Sequence, residues 1–297
     1  MRVTAAIPTY GREEVLLDTI HALLGLNVPP DEIVVIDQTP RHQAAVEAAL
    51  RSLDSKGAIR WIRLDKPSIP MAMNRALREA THELVLYLDD DIIPGPNLIE
   101  GHRRAYVMRE IWAVSGQVLQ PGQSEIEAPA GRRHSPWGDL DFPYNQNRGA
   151  WVDNVMAGNL SVRRDAALEI GGFDENFVGV AYRFETEFAR RLVASGGKIW
   201  FEPSASIRHL QAPSGGTRMH GSHLTSASPA HSVGDYYFAL TVLERRWPYI
   251  AGRMSRSVRT RFHLTHPWWI PVKLTGELRG LLLALRLRKK GPRLISR

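Results

Sequence analysis

Three consecutive carboxylates, Asp89-Asp90-Asp91, close a run of five apolar residues, Leu84–Leu88, and Pro94 follows them. A short, continuous apolar run reads as a strand buried on both faces. Three acids at its end disfavour joint ionisation, and a cation relieves that repulsion. All-oxygen ligands suit a hard divalent ion, Mg²⁺ or Mn²⁺, that keeps waters and substrate phosphates in its remaining positions. The competing reading is a solvated acidic turn. A second acid, Glu185, lies in Tyr182–Ala194, where Phe184, Phe188 and Leu192 recur at helical spacing. It reads either as a functional carboxylate beside an apolar face or, like Glu187, as an acid stabilising a helix N-terminus. His209 ends the probable strand Ser204–Arg208, as a metal ligand or as a structural histidine.

The elements that must position these groups alternate. Strands are expected at Arg2–Pro8, Glu32–Ile36, Ile59–Leu64 and Leu84–Leu88, and helices at Glu13–Leu26, His42–Leu53 and Met71–Ala80. Such alternation implies βαβ units: an α/β, mostly parallel sheet with helices on both faces. Ligands bind such sheets at the C-terminal strand ends. Those ends carry Thr9–Arg12, Asp37, Asp65 and Asp89–Asp91, an acidic edge suited to a metal–diphosphate ligand. Pro8-Thr9-Tyr10-Gly11-Arg12 holds one glycine, so neither a dinucleotide fingerprint nor a P-loop is supported.

Composition sets further bounds. The 297 residues contain no cysteine, which excludes disulfides, thiolate metal sites and a cysteine nucleophile. No signal-peptide pattern opens the chain and no apolar run approaches a membrane span, so a cytoplasmic location is expected. Residues 245–297 hold 14 Lys and Arg against one acid, Glu277. Within them Leu274, Leu278, Leu281, Leu282 and Leu285 share one helix face after the aromatic corner Pro267-Trp268-Trp269-Ile270-Pro271. An interfacial helix on an anionic membrane surface fits this pattern, and a helix packed on the protein's own core is the alternative. No nucleic-acid partner is expected, because no base-reading pattern accompanies the basic residues.

The chain resembles the family 2 glycosyltransferases of the GT-A fold. The resemblance rests on Ile7–Arg12, Ile33–Asp37, Asn74 within Ala72–Ala76, Leu88–Asp91 with Pro94, Ala157–Arg164, Gly171–Glu175, and Phe184–Phe188 with Arg191. It implies transfer of a sugar from a nucleotide diphosphate sugar, a UDP-sugar as the first expectation, to a sugar or lipid-linked acceptor, usually with inversion. Asp37 matches the nucleobase-contacting acid, and Thr9, Tyr10 and Arg12 match the turn around the nucleoside. Asn74 and Asp90 are expected on the same nucleotide-sugar side. Asp89 and Asp91 match the outer acids of the DxD motif, Asp91 being the metal ligand. His209 falls where some members add a third ligand, and Glu185 where the catalytic base sits. Gln38-Thr39-Pro40 replaces the usual Asp-Gly-Ser, Met73 replaces an Arg often found before the Asn, and Glu185 replaces the commoner Asp.

The expected architecture is a catalytic domain over 1–235, with a nucleotide-sugar half near 1–118 and an acceptor half near 119–235, and a basic amphipathic helical segment over 236–297. Residues Pro121–Arg148, with Trp137, read as an acceptor-side wall. Asn159 and Gly172 fit a close approach to sugar or acceptor, unless Gly172 is simply a turn glycine. Asp174 reads as a sugar-hydroxyl partner or as a cap. The Gly, Ser and His-rich stretch Gln211–Val233, holding His220, His223 and His231, reads first as a solvated mobile loop, and alternatively as one that closes over substrate with Arg218 reaching the diphosphate. Two other functions remain open: a sugar-phosphate nucleotidyltransferase, and a catalytically silent membrane-associated interaction protein. Membership of cell-envelope polysaccharide or glycolipid synthesis, at the cytoplasmic membrane face, is the expected context.

Overall fold

A computed structural model describes residues 1–127, 140, 142–216 and 221–296. The expected positions of Trp137, Arg218 and His220 lie outside the described residues. The first half follows the alternation closely. Strand β1 (Val3–Thr9) leads to helix α1 (Glu14–Leu24), β2 (Glu32–Asp37) to α2 (Ala44–Ser55), β3 (Arg60–Arg63) to α3 (Ile69–Glu79), and then to β4 (Leu84–Leu88). β4 is buried along its whole length, as its unbroken apolar run requires. β3, β2, β1 and β4 are neighbours in that order and pair in parallel.

Beyond β4 the sheet becomes mixed. Pro94 does not end the strand structure: Ile92–Pro94 forms a short strand, β5, antiparallel to the long strand Lys198–His209. Between them lie α4 (Leu98–Ala105), β6 (Ile111–Leu119), β7 (Ala150–Val152), β8 (Asn159–Arg163), α5 (Arg164–Glu169) and α6 (Phe184–Ala194), so that the long strand is β9. β8 inserts antiparallel between β4 and β6, and β9 runs parallel to β6. The register of that last pair slips between Gly116 and Gln117, with Pro203, Ser204 and Ala205 as the extra residues of β9. Apolar clusters fill both sheet faces.

Residues 236–297 are stitched to this body. Helices α7 (Val233–Val242), α8 (Arg246–Val258), α9 (Arg261–Thr265) and α10 (Ile270–Lys290) follow β9. α10 packs on α7 through a face different from the leucine face: Gly276, Glu277, Gly280 and Ala284 are buried. A Cβ on Gly280 would stand 2.1 Å from Ser232 Oγ, so the glycine permits the close approach. Leu278, Leu282 and Leu285 stay exposed, with Trp268 and Leu264 beside them in sequence. The C-terminal tail then crosses the Gly171–Asn176 turn, with Ile295 N–H donating to Gly171 O and Glu175 N–H to Arg293 O.

Candidate active site

The ends of β1 and β4 bring the first set of residues together. A cleft of about 270 Å³ is lined by Thr9, Tyr10, Arg12, Gln38, Asp89, Asp90, Asp91 and His209, with Ser68, Met73, Ala157 and Gly179. The three acids have different surroundings. Asp90 is buried, accepting from the Thr9 hydroxyl at 2.7 Å and from Arg12 Nε at 3.0 Å. Burial raises its carboxyl to about 6, against the pull of Arg12 and Thr9. Asp90 and Thr9 are therefore committed to each other and to Arg12, and they shape the cleft from beneath.

Asp91 Oδ1 lies 3.1 Å from His209 Nε2, and Asp91 Oδ2 accepts from Arg12 Nη2 at 3.2 Å and from Ala212 N–H at 2.7 Å. Burial opposes its ionisation. His209, the Ala212 amide and Arg12 outweigh that, and hold the carboxyl below its ordinary value. In return Asp91 raises the imidazole of His209. Asp89 Oδ2 stands 3.8 Å from the same His209 nitrogen, and nearly half of the Asp89 side chain is open. Gly158 makes room for it: a Cβ there would meet Asp89 Oδ2 at 2.1 Å.

Asp89, Asp91 and His209 thus converge as the sequence predicts. Among the described residues no three acidic or histidine side chains are spread into a ready metal shell. Arg12, the Ala212 amide and His209 surround Asp91. Two carboxylates and one imidazole around a partly open point are nevertheless a donor set that a hard or borderline divalent ion accepts.

Glu185 opens α6 through a constrained turn. Ala181 and Arg183 both adopt left-handed backbone, at φ 54° and 73°, a conformation costly for non-glycine residues. Gly179 and Val180 are held by Ala230, whose carbonyl accepts from Val180 N–H at 3.1 Å. The result leaves Glu185 Oε2 buried with no hydrogen-bond partner among the described residues. Burial raises the carboxyl to about 7; its own backbone N–H and Arg183 pull it down, and Asp89 pushes it up. An unpartnered carboxylate poised near neutrality has the properties of a general base.

Several expected ligand contacts are corrected. Asp37 is fully buried, its oxygens taken by Thr39 N–H, His42 Nε2 and Trp61 Nε1. Asn74 clasps the Phe173 backbone, donating to its carbonyl at 2.9 Å and accepting from its N–H at 2.8 Å. Asn159 donates to Gln117 O and Ala205 O, bridging the β6–β9 slip. Asp174 accepts from Asn176 N–H, Arg293 N–H and the Tyr237 hydroxyl. Gly172 is a turn glycine at φ 62° under Asn74 and Ile295. The four polar side chains satisfy buried backbone groups, Gly172 serves the turn, and none of these five lines the cleft. Sequence reasoning missed Gln38, Ser68 and Gly158. The resemblance already marked Gln38 and Gly158 by position.

The family model for glycosyl transferase family 2 matches residues 4–171. The chain belongs to that family. A search of curated proteins finds no match. Among solved structures, one similar chain is titled GalNAc-T7 with UDP, GalNAc and Mn²⁺, at 15% identity and a TM-score of 0.58 over 84% of this chain. This chain spans only 52% of that one. Another is the mannosyltransferase PcManGT from Pyrobaculum calidifontis in complex with GDP-Man and Mn²⁺, at 18% identity and a TM-score of 0.56, over 98% of this chain and 79% of that one. The fold is GT-A.

Proposed function

We propose that the protein is a metal-dependent, inverting glycosyltransferase that moves a sugar from a nucleoside diphosphate sugar to an acceptor hydroxyl. The observation that carries this reading is the convergence of Asp89, Asp91 and His209 at the end of β4, and Glu185 Oε2, buried without a hydrogen-bond partner among the described residues, is the base it needs. Asp91, His209 and Asp89 would hold the ion. Bound there, Mn²⁺ or Mg²⁺ supplies Lewis acidity toward the leaving diphosphate. Glu185 accepts the acceptor's proton as its oxygen attacks from the face opposite the leaving group, which inverts the anomeric carbon. Arg12, which lines the cleft beside Asp91, would offer its guanidinium to a phosphate oxygen. The donors in the two similar structures, with UDP in one and GDP-Man in the other, support a nucleotide-sugar donor and leave both bases as candidates.

The test is hydrolysis and transfer across a panel of nucleotide sugars with Mn²⁺. Release of nucleoside diphosphate, lost on chelation, is expected. Release of pyrophosphate from a sugar phosphate and a nucleoside triphosphate would instead establish the nucleotidyltransferase.

No helix among the described residues is long and apolar enough to cross a membrane. The exposed Leu278, Leu282, Leu285 and Trp268 with the terminal Arg288, Lys289 and Lys290 support peripheral binding to an anionic leaflet. A lipid-linked acceptor, as in cell-envelope polysaccharide or glycolipid synthesis, fits that placement.

A further inference from the structure

The C-terminal helices wall a second cleft of about 600 Å³, lined by Tyr182, His223, His231, Arg253, Ser257 and Lys273 among others. It shares a wall with the first: Gly179 lines the metal-side cleft, while Val180 and Tyr182 line this one, and Glu185 follows on the first turn of α6.

A buried ionic cluster lies under it. Arg253 Nε is 2.6 Å from Asp235 Oδ2 and its Nη1 is 3.0 Å from Glu277 Oε2. Lys273 Nζ is 2.8 Å from Glu277 Oε1, and Arg183 Nε is 3.8 Å from Asp235 Oδ1. The hydroxyls of Tyr236 and Tyr249 donate to Glu277 and Asp235, at 2.6 Å each. Arg253 and Lys273 therefore face two carboxylates, and Arg183 stands between Asp235 and Glu185. Arg253 spends its Nη2 on the His231 carbonyl at 3.0 Å, yet a guanidinium has five N–H donors and an ammonium three. Donors of both remain for a group entering the cleft. The imidazoles of His223 and His231, with ring centres 6.2 Å apart, and the Ser257 and Thr260 hydroxyls complete a wall rich in donors.

We propose that this cleft binds a phosphate of the acceptor, seated on Arg253 and Lys273, so that the acceptor hydroxyl reaches Glu185 over the Gly179–Tyr182 wall. The proposal rests on the glycosyl-transfer reading above and narrows its acceptor to a phosphate-bearing molecule. The fixed ion pairs hold the receiving donors of Arg253 and Lys273 in place before the anion arrives.

The experiment is calorimetric titration of the full chain, its first cleft saturated with nucleoside diphosphate and Mn²⁺. The probes are a short-chain prenyl phosphate carrying a hexose, whose hydroxyls are the acceptor, the same hexosyl alcohol without the phosphate, and a water-soluble hexose phosphate. Phosphate probes should bind and the alcohol should not. Ser257→Glu places a negative charge on the cleft wall one helical turn from Arg253, where it competes with an entering phosphate. It should weaken phosphate binding by about tenfold or more, the worth of one charged contact. Lys273→Gln should do the same; if it fails to fold, Ser257→Glu decides. Tighter binding of the prenyl phosphate supports the site with a lipid source, and equal binding supports it with a soluble one. Phosphate affinity unchanged in Ser257→Glu, or an alcohol that binds as well as its phosphate, overturns the proposal. Nucleotide-sugar hydrolysis on the same samples separates the two readings. Hydrolysis without phosphate binding removes the cleft alone. Phosphate binding without any hydrolysis removes the transferase.

Discussion

Glu185 carries two opposed demands, and both can be measured. As a base it must be ionised, and burial keeps its proton on up to about pH 7. Transfer should therefore rise with pH through that value. Stability should move the other way. In the unfolded chain the carboxyl ionises at its ordinary 4.5, whereas the folded chain holds the proton to about 7. The stability it contributes is present below the lower value and lost as pH rises through the upper one. Glu185→Gln should lower transfer by roughly 10²–10⁴ while donor binding persists. Its thermal midpoint, compared with the parent, should improve from acid pH toward pH 8. A variant that loses stability at pH 8 would show that the carboxylate is structural. Asp91 offers a separate check. Asp91→Asn removes the charge that Arg12 and His209 share, and should abolish chelator-sensitive nucleotide binding, read by calorimetry with and without Mn²⁺.

At the scale of elements, the parallel half was legible because each strand is a short apolar run and each helix shows one apolar stripe. β4 occupies the same residues that its apolar run predicts. The second half was less so. β8 pairs antiparallel with β4, and its partners lie many tens of residues away, a relation no local period encodes. β9 interrupts its own pattern at Pro203, where the ladder slips. The site divided along the same line. The acids Asp89–Asp91 stood out because charge closing an apolar run has few structural uses, whereas Glu185 was singled out mostly by the family resemblance. Asn74, Asn159 and Asp174 could not, because a polar residue beside a turn looks the same whether it meets a ligand or a backbone amide. Asn74 separates those cases experimentally. Asn74→Ala leaves the Phe173 amide and carbonyl unpaired and should cost about 1–3 kcal/mol of stability. Nucleotide affinity of the folded protein should stay at the parent value. A loss of affinity at unchanged melting temperature would return Asn74 to the donor site.

The whole molecule places its charge and its apolar surface on one side of the argument about membranes. α10 packs on the body through one face and leaves another exposed. The small residues Gly276, Gly280 and Ala284 pack inward, and Glu277 is buried in the ion cluster. The outer face keeps Leu278 at 52% and Leu282 at 57% exposure, with Trp268 at 65%, values that solvent alone gives no reason to favour. Removing the helix would strip the cover from α7 and confound any binding measurement, because α7 itself is buried from Val233 to Leu240. Substitution on the outer face avoids this. The triple variant Leu278→Gln, Leu282→Gln, Leu285→Gln should keep the parent's melting temperature, since these side chains touch little of the body. Co-sedimentation with vesicles rich in anionic lipid should fall by about tenfold or more, because each buried leucine contributes about 1.5–3 kcal/mol on full insertion. The parent should bind neutral vesicles weakly, and salt should release it from anionic ones, because the flanking Arg288, Lys289 and Lys290 act through screened charge. Equal binding to both vesicle types, or binding unchanged by the triple substitution, would mean that this face does not meet a membrane.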